Sequence, residues 1–423
     1  MMKQIYIALK RESFTGFCKL FISRLLTSLI AVPIVLIILM IYPIIRIHLI
    51  RLLSYRIGHY ALNTELLLCA LDDKLYADEK RTLRWFYTFP EHPICNSQLH
   101  IMWKRIITIL PFPLVFHQAD RFLSKILVKS YKNDPYKLRF EPVEGARDLW
   151  NYLEKKKSHL AFNKDEIQRG TNLLNQLGIP DNSPFVCLLG RDDFYLNSYL
   201  PNRDWSYQNF RNVNINDYQK AALYLVEKGY YVVRMGKGVK EKFAIDHSRV
   251  IDYANHPQRS DFLDIYLAAH CFFFISPRSG IDAVAQIFRR HLLVTNLPLG
   301  DYKSLYFIDV FIPKKLREKP TQRLVKFKEI FNYYDLFDNR VQMLDAWQKN
   351  GWHFEDNTPD EILEAVQEML SRVTHNWNCA DENQLLQDQF WQTLPNEKNY
   401  TFNLSPKLRI GEAFIKNHQA LLN

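Results

Sequence analysis

No two cysteines of this chain form a CxxC pair. The six, Cys18, Cys69, Cys95, Cys187, Cys271 and Cys379, are scattered, and several lie in apolar runs. There a cysteine behaves as a small hydrophobe. The spacing argues against a zinc site or a disulfide framework and for a reducing compartment. Internal repeats and low-complexity tracts are also missing. Acidic residues are nearly absent from the first 56 positions, where Glu12 stands alone against Lys3, Lys10, Arg11, Lys19, Arg24, Arg46, Arg51 and Arg56. That segment holds +7 of the chain's formal +10. The basicity therefore belongs to the N-terminus, and it gives no reason to expect nucleic acid as a partner.

What is present in that segment is an apolar run. Thr27 to Ile45 carries no charge, over roughly the length that crosses a bilayer. Basic flanks of such a run suit anionic lipid heads. A cleaved signal peptide is a poorer reading, because the run is long and no small-residue cleavage site follows. A buried soluble helix is the other alternative. Pro33 leaves room for a kinked segment that enters and leaves on one face.

With 423 residues, 48% of them apolar, the chain has material for two or three domains at about 150 residues each. We expect a basic, membrane-associating segment over 1–47, a first Rossmann-like domain over 48–160, a second, nucleotide-sugar-binding domain over 161–380, and a helical extension over 381–423. In the first domain, Arg51–Tyr55 reads as a strand, Gly58-His59 as a turn and Leu62–Leu71 as a helix. Thr82–Phe89 reads as a strand and Asn96–Ile109 as a helix. The second domain alternates more clearly. Asn163 with Glu166 forms a capping box, and Gly178 ends that helix. Phe185–Leu189, Tyr230–Met235 and Phe272–Ile275 are strands. Asn216 and Ser260 cap the helices between them, and Thr358-Pro359 with Glu361 opens a late one.

Repeated βα units imply a parallel sheet, whose ligands bind at the carboxyl ends of the strands. The loops there are Gly190-Arg191-Asp192-Asp193, Gly236-Lys237-Gly238 and Ser276-Pro277-Arg278-Ser279-Gly280. A helix starting at Ser279-Gly280 would offer free N–H groups to an anion, with Arg278 adding a two-pronged phosphate contact. The plainer alternative has Ser279 as a cap and Arg278 in solvent; Asp282 would weaken the site if it faced the phosphates. Arg191 either clamps a diphosphate or pairs with Asp192 or Asp193. The Asp192-Asp193 pair lacks ligand-spaced partners, so no metal is expected. The long loop from Asp193 to Asn216 is rich in Tyr, Asn and Arg, as a lid or sugar-binding loop would be. His59 is the histidine best placed for catalysis, although a lone histidine is more often structural.

The blocks "RIGHYALNTELLL", "LLGRDDFYL", "FRNVNINDYQKAALYLVEKGYYVVRMG", "VIDYANHPQRSDFLDIYLAAHCFFFI" and "SGIDAVAQIFRRHLLVTNLPLGD" resemble a family of bacterial glycosyltransferases linked to surface-carbohydrate synthesis. "DVFIPKKL", "DNTPDEILEAVQEML" and "LRIGEAFIKNHQALL" fit it too. The second half looks similar to fucosyltransferase-like enzymes of the two-Rossmann GT-B fold. The resemblance implies an α/β protein that transfers a sugar from a nucleotide donor without a bound metal or other cofactor. It implies a glycan or lipid-linked acceptor and, with the basic apolar N-terminus, membrane lipids at the cytoplasmic face of the bacterial inner membrane. Arg191 matches an arginine that contacts the donor diphosphate. Ser279-Gly280 matches the Ser-Gly before a helix, Arg234 and Gly236 the Arg-Met-Gly, and Arg259, Ser260 and Asp261 the Arg-Ser-Asp. Where the family usually has glycine and a small hydroxyl residue, this chain has Ser276-Pro277-Arg278. His59 is the expected base, with Asp192 second. A non-catalytic nucleotide-sugar-binding scaffold and a nucleotide-sugar epimerase are the rival readings.

Overall fold

The computed structural model describes residues 14–73, 81–90, 92–127, 148, 150–199, 204–300, 308–337, 339–377, 381–394 and 408–422. The chain divides into two compact units. One contains Met1–Tyr60 and Ala70–Gly145; the other contains Ala61–Cys69 and Ala146–Asn423. The division near residue 145 precedes the expected one at 160. The last helices are part of the second unit and not a separate extension.

The chain opens with α1 (Phe14–Ile41) and β1 (Ile45–Arg51), followed by α2 (Ile57–Asp72), whose residues Ala61–Cys69 belong to the second unit, and then by β2 (Arg81–Tyr87), α3 (Ser97–Lys104) and α4 (Pro113–Ile126) of the first. The two strands pair in parallel from Ile45–Arg81 to Arg51–Tyr87. Among the described residues this is a two-stranded ribbon, not the full Rossmann sheet expected there. β1 starts earlier than expected, directly after the turn at Tyr42–Ile44, so Ile45 belongs to a strand. Gly58 and His59 lie within the first turn of α2 and not in a loop before it.

One face of α1, set by Ala31, Val35 and Ile38, packs with Ile47, Leu49, Tyr87, Ala119 and Leu123 into a core. That spacing is one side of a 3.6-residue helix. The other side leaves Leu25, Leu29, Ile30, Leu36 and Met40 more than half exposed. Among the described residues no helix is long and apolar enough to cross a membrane.

The second unit is built on a seven-stranded parallel sheet, ordered β11-β8-β7-β6-β3-β4-β5. Its strands are β3 (Phe185–Leu189), β4 (Tyr231–Met235), β5 (Val250–Ile251), β6 (Phe273–Ser276), β7 (His291–Leu297), β8 (Val310–Pro313) and β11 (Arg409–Ile410). β9 (Lys315–Glu318) and β10 (Trp352–Glu355) form a separate antiparallel pair. β3, β6 and β8 are buried along their whole length, as strands covered on both faces must be. That is why they read as unbroken apolar runs. Helices α5 (Lys164–Gln176), α6 (Gln219–Glu227), α7 (Asp261–His270), α8 (Asp282–Ile287) and α9 (Pro359–Val373) connect or cover them.

The caps form where short polar side chains precede apolar periodicity. Asn163 and Glu166 make a reciprocal capping box, as do Thr358 and Glu361. The Ser260 hydroxyl accepts from Leu263 N. Gly178 follows α5 at φ +84°, a conformation that costs glycine nothing. At α6 the cap differs: Asn214, not Asn216, caps a 3-10 turn over Ile215–Tyr218, and α6 continues from it.

Candidate functional site

β3 lies between β4 on one side and β6 on the other, so strand order reverses at β3–β6. In open parallel sheets ligands bind at the carboxyl ends of strands at such a point. Two loops flank it, one after β3 and one after β6, and their arginines behave differently.

After β3, Gly190 permits close packing, since a Cβ there would meet the Ile215 side chain at 2.7 Å. Arg191 is half-buried. Its guanidinium donates to Gln208 O at 3.0 Å and to the Asn212 side-chain oxygen. These partners are neutral. Asn212 also offers its carbonyl to Lys314, whose Nζ lies 2.8 Å away and 2.6 Å from an Asp356 carboxylate oxygen. Lys314 directly follows β8 and its side chain is 3% exposed. Burial pushes the Lys314 ammonium below its ordinary range; Asp356 opposes this and the charge of Arg191 adds to it. Two cations therefore share one electrostatic neighbourhood through Asn212. Asp217 is raised by burial and by Asp356, so the carboxylates there do not simply neutralise the cations one for one.

After β6, Arg278 adopts φ +64°, and the turn carries its side chain inward. The guanidinium lies 3.4 Å from Asp282 Oδ1 and 3.3 Å from Gln286 Oε1. The other oxygen of Asp282 accepts from the Ser276 hydroxyl and from Ser279 N, each at 2.8 Å. The protein's own carboxylate thus occupies the position expected for a ligand phosphate. α8 starts at Asp282, not at Ser279-Gly280, and spans only six residues. Arg278, Ser279 and Gly280 consequently do not form the anion cradle expected of them. Arg211 braces this turn by donating to Arg278 O at 2.7 Å.

The five other residues expected to contact the donor make contacts within the protein. Arg234, 1% exposed, pairs with Asp252 at 2.9 Å. Arg259 donates to Gly236 O at 2.9 Å and pairs with Asp264 at 2.6 Å. A Cβ at Gly236 would meet Val239 at 2.8 Å, so this glycine serves packing. Ser260 caps α7, and Asp261 lies 3.8 Å from Lys237. Asp264 is pushed up to about 6, first by burial, with Arg259 opposing.

Asp192, the second expected base, accepts backbone hydrogen bonds from Phe194 at 3.1 Å and Lys240 at 2.8 Å. It staples two loops together. The loop from Asp193 to Asn216 contains a short helix, Phe194–Tyr199, and a 3-10 segment, Ser206–Arg211. That segment and Asn212 directly after it supply partners of Arg191.

In the first unit, the carboxyl ends of β1 and β2 are joined through Ser54, which is fully buried. Its hydroxyl accepts from Phe89 N at 2.9 Å and its carbonyl from Cys95 N at 2.8 Å. The pinned loops bring together three half-exposed rings. Tyr55 stacks on His92 with centroids 4.7 Å apart and lies 4.6 Å from Phe89. The Arg51 guanidinium sits 5.0 Å over Phe89. His59 follows as the third residue of α2, half-buried.

Glu65, Cys69 and His159 place ligand-type atoms within 4.8 Å of one another. Arg289, at φ +60°, donates to Glu65 Oε1 at 2.6 Å and also to the carbonyls of Lys156 and Lys157. The guanidinium takes up the charge that a metal ion would otherwise balance.

Asn212, Lys314 and Asp356 were not singled out in the sequence. The available signal was position: Lys314 directly follows Pro313, the last residue of a buried parallel strand.

A scan of protein-family models finds no match to this chain, and neither does a search of curated proteins. Solved structures give distant likenesses. The ADP-heptose lipopolysaccharide heptosyltransferase II of E. coli is 12% identical, with 77% of this chain and 98% of that one covered at a TM-score of 0.39. A family 9 glycosyl transferase from Veillonella parvula is 9% identical, over 59% and 79%, at 0.32. An E. coli heptosyltransferase solved with ADP is 14% identical, over 59% and 86%, at 0.29.

Proposed function

We propose that the protein is a glycosyltransferase that moves a sugar from a nucleotide-sugar donor to a glycan or glycolipid acceptor. The observation that carries this reading is the convergence of Arg191 and Lys314 on Asn212 beside the reversal point of a parallel sheet. A departing nucleoside diphosphate gains negative charge. Preorganised cations stabilise that charge most in a partly buried site. Arg191 and Lys314 supply this role without a metal ion. Arg191 donates to the oxygens of Gln208 and Asn212, which hold its guanidinium at the end of β3.

The acceptor belongs with the first unit in this reading. The rings of Tyr55, Phe89 and His92 offer a face for the apolar side of a sugar, and His59 stands at the start of the next helix as the base. His59 would take the proton of the attacking hydroxyl. The membrane is the setting: the exposed side of α1 lies in the lipid interface, with the basic N-terminus against anionic heads, at the cytoplasmic face of a bacterial inner membrane. Flotation of the full chain with anionic vesicles, and not with neutral ones, is the expected result; recovery of all protein unfloated refutes this placement.

The deciding experiment for the chemistry is a panel of nucleotide sugars. A thermal-shift screen should select a donor, and a radiolabelled transfer assay should show sugar leaving it. Donor binding without transfer or hydrolysis would favour the non-catalytic scaffold. Interconversion of donor sugars with no acceptor would favour the epimerase.

A further inference from the structure

α4 begins at Pro113, and Phe112 before it breaks three local rules at once. It holds φ +58°, a left-handed backbone that a bulky side chain rarely adopts. It fills the N-cap position without a side-chain hydrogen bond to the helix, where Ser, Thr, Asp or Asn is preferred. Its ring is 73% exposed, although an aromatic side chain gains much from burial. Pro111 and Pro113 on either side stiffen this corner. Broken local rules concentrate where a residue serves function rather than the fold.

Phe112 does not stand alone. Ile106 and Leu114 are each nearly half exposed. The charges nearby have one sign. No acidic residue occurs from His92 to Ala119, whereas Lys104 and Arg105 are both exposed. The next acid, Asp120, is buried and accepts from the Tyr87 hydroxyl at 2.8 Å. The corner also continues a surface of the same unit. Gln118, in the second turn of α4, donates to Ser28 of α1 at 3.1 Å. The start of α4 therefore lies beside the stretch of α1 whose outer side exposes Leu25 and Leu29. An apolar tip with basic neighbours suits a layer that is hydrocarbon inside and anionic at its surface.

We propose that the corner between α3 and α4 inserts into a bilayer containing anionic lipid, with Phe112 entering the acyl region and Lys104 and Arg105 meeting the head groups. The assignment rests on the membrane placement of α1 above and adds a second, separate point of attachment. Two contacts on one compact unit hold it at a set angle to the surface, which a single helix does not.

The test uses the full chain and the variant Phe112→Trp, floated with vesicles of phosphatidylcholine with and without phosphatidylglycerol. Brominated acyl chains quench a tryptophan only where it enters the hydrocarbon. Subtracting the wild-type emission removes the eight native tryptophans. The emission that remains should fall at least two-fold on brominated anionic vesicles. Lys104→Gln together with Arg105→Gln should lower the quenched fraction at least two-fold. Phe112→Asn suits the left-handed turn and should melt no lower than the wild type. A lower melting temperature means that the ring holds the fold, and it overturns the proposal. Emission at position 112 that brominated lipid leaves unchanged, in a protein that floats, overturns it while the α1 placement stands. Quenching indifferent to loss of both cations overturns the assignment to anionic lipid. A wild-type dimer in sedimentation that Phe112→Asn dissolves gives the corner to a second copy of the chain and overturns it too. Failure of the wild type to float removes the α1 placement and this proposal together.

Discussion

The loops after β3 and β6 look alike as strings. Each follows a buried strand, has a small residue at its turn, and contains an arginine with an aspartate nearby. In the folded protein they are opposites. Asp282, four residues after Arg278, reaches back and holds both the guanidinium and the backbone of the turn. Asp192, directly after Arg191, is drawn away by the amides of Phe194 and Lys240. Arg191 donates to oxygens of Gln208 and Asn212, and Arg278 is locked inside by Asp282. Which partners a strand-end arginine meets is decided by where the nearest carboxylate can reach, and not by the arginine's position on the rim.

Breaking the locked loop should have the largest effect. Asp282→Ala removes the carboxylate paired with the buried Arg278 and the acceptor of Ser276 and Ser279 N. Loss of one partner of a buried pair costs about 3–5 kcal/mol, and a denaturant titration should show the second unit destabilised by that order. Arg191→Ala should do the reverse: folding intact, and nucleoside-diphosphate affinity weaker by about 1.5–3 kcal/mol, the range for hydrogen bonds to charged groups. Arg191→Lys should recover only part of it, for want of the two-pronged fork. Calorimetry on the two variants decides whether the loops differ in function as they do in geometry.

A pH ramp extends the comparison to the third loop, where Arg259 meets Asp264. Burial raises the Asp264 carboxyl from an ordinary 3.8 to about 6. The folded state then binds the proton more tightly than the unfolded state. This contribution to stability is fully present below about pH 4 and is lost as pH rises through about 6. Asp264→Asn should flatten that part of the stability profile, and melts between pH 4 and 7 will show whether it does. The smallest effect is expected at Ser279. Its N–H is held by Asp282, and α8 has no side-chain cap. Ser279→Ala should therefore change the melting free energy by less than the ~1 kcal/mol of a true cap.

Much of the second unit was legible because its strands are contiguous apolar runs between turn residues, and its caps follow local rules. Phe185–Leu189, the Asn163–Glu166 box and Thr358-Pro359 needed only neighbours in sequence. The site was less legible because its geometry is set by backbone and long-range partners. Arg278 turns inward through a left-handed φ that nothing in "SPRSG" announces. Lys314 and Lys315 are adjacent, yet the first meets Asn212 and Asp356 while the second pairs with Glu361. In the first unit, the start of β1 was hidden because Ile45 continues the apolar run of α1 without a break in composition.

The pair between Glu65 and Arg289 joins residues 224 positions apart, which bears on how the chain is made. At about 5–20 residues per second of synthesis, the arginine emerges some 10–45 s after the glutamate. Through that interval α2 exists without this counter-ion, and Glu65 has only Cys69 and, later, His159 as partners within the chain. Contacts of such long sequence separation also carry the heaviest chain-closure cost and form late. Nascent chains ending before residue 289 should thus expose α2 to proteases and chaperones, and its protection should arrive abruptly once the second half of the sheet has been completed.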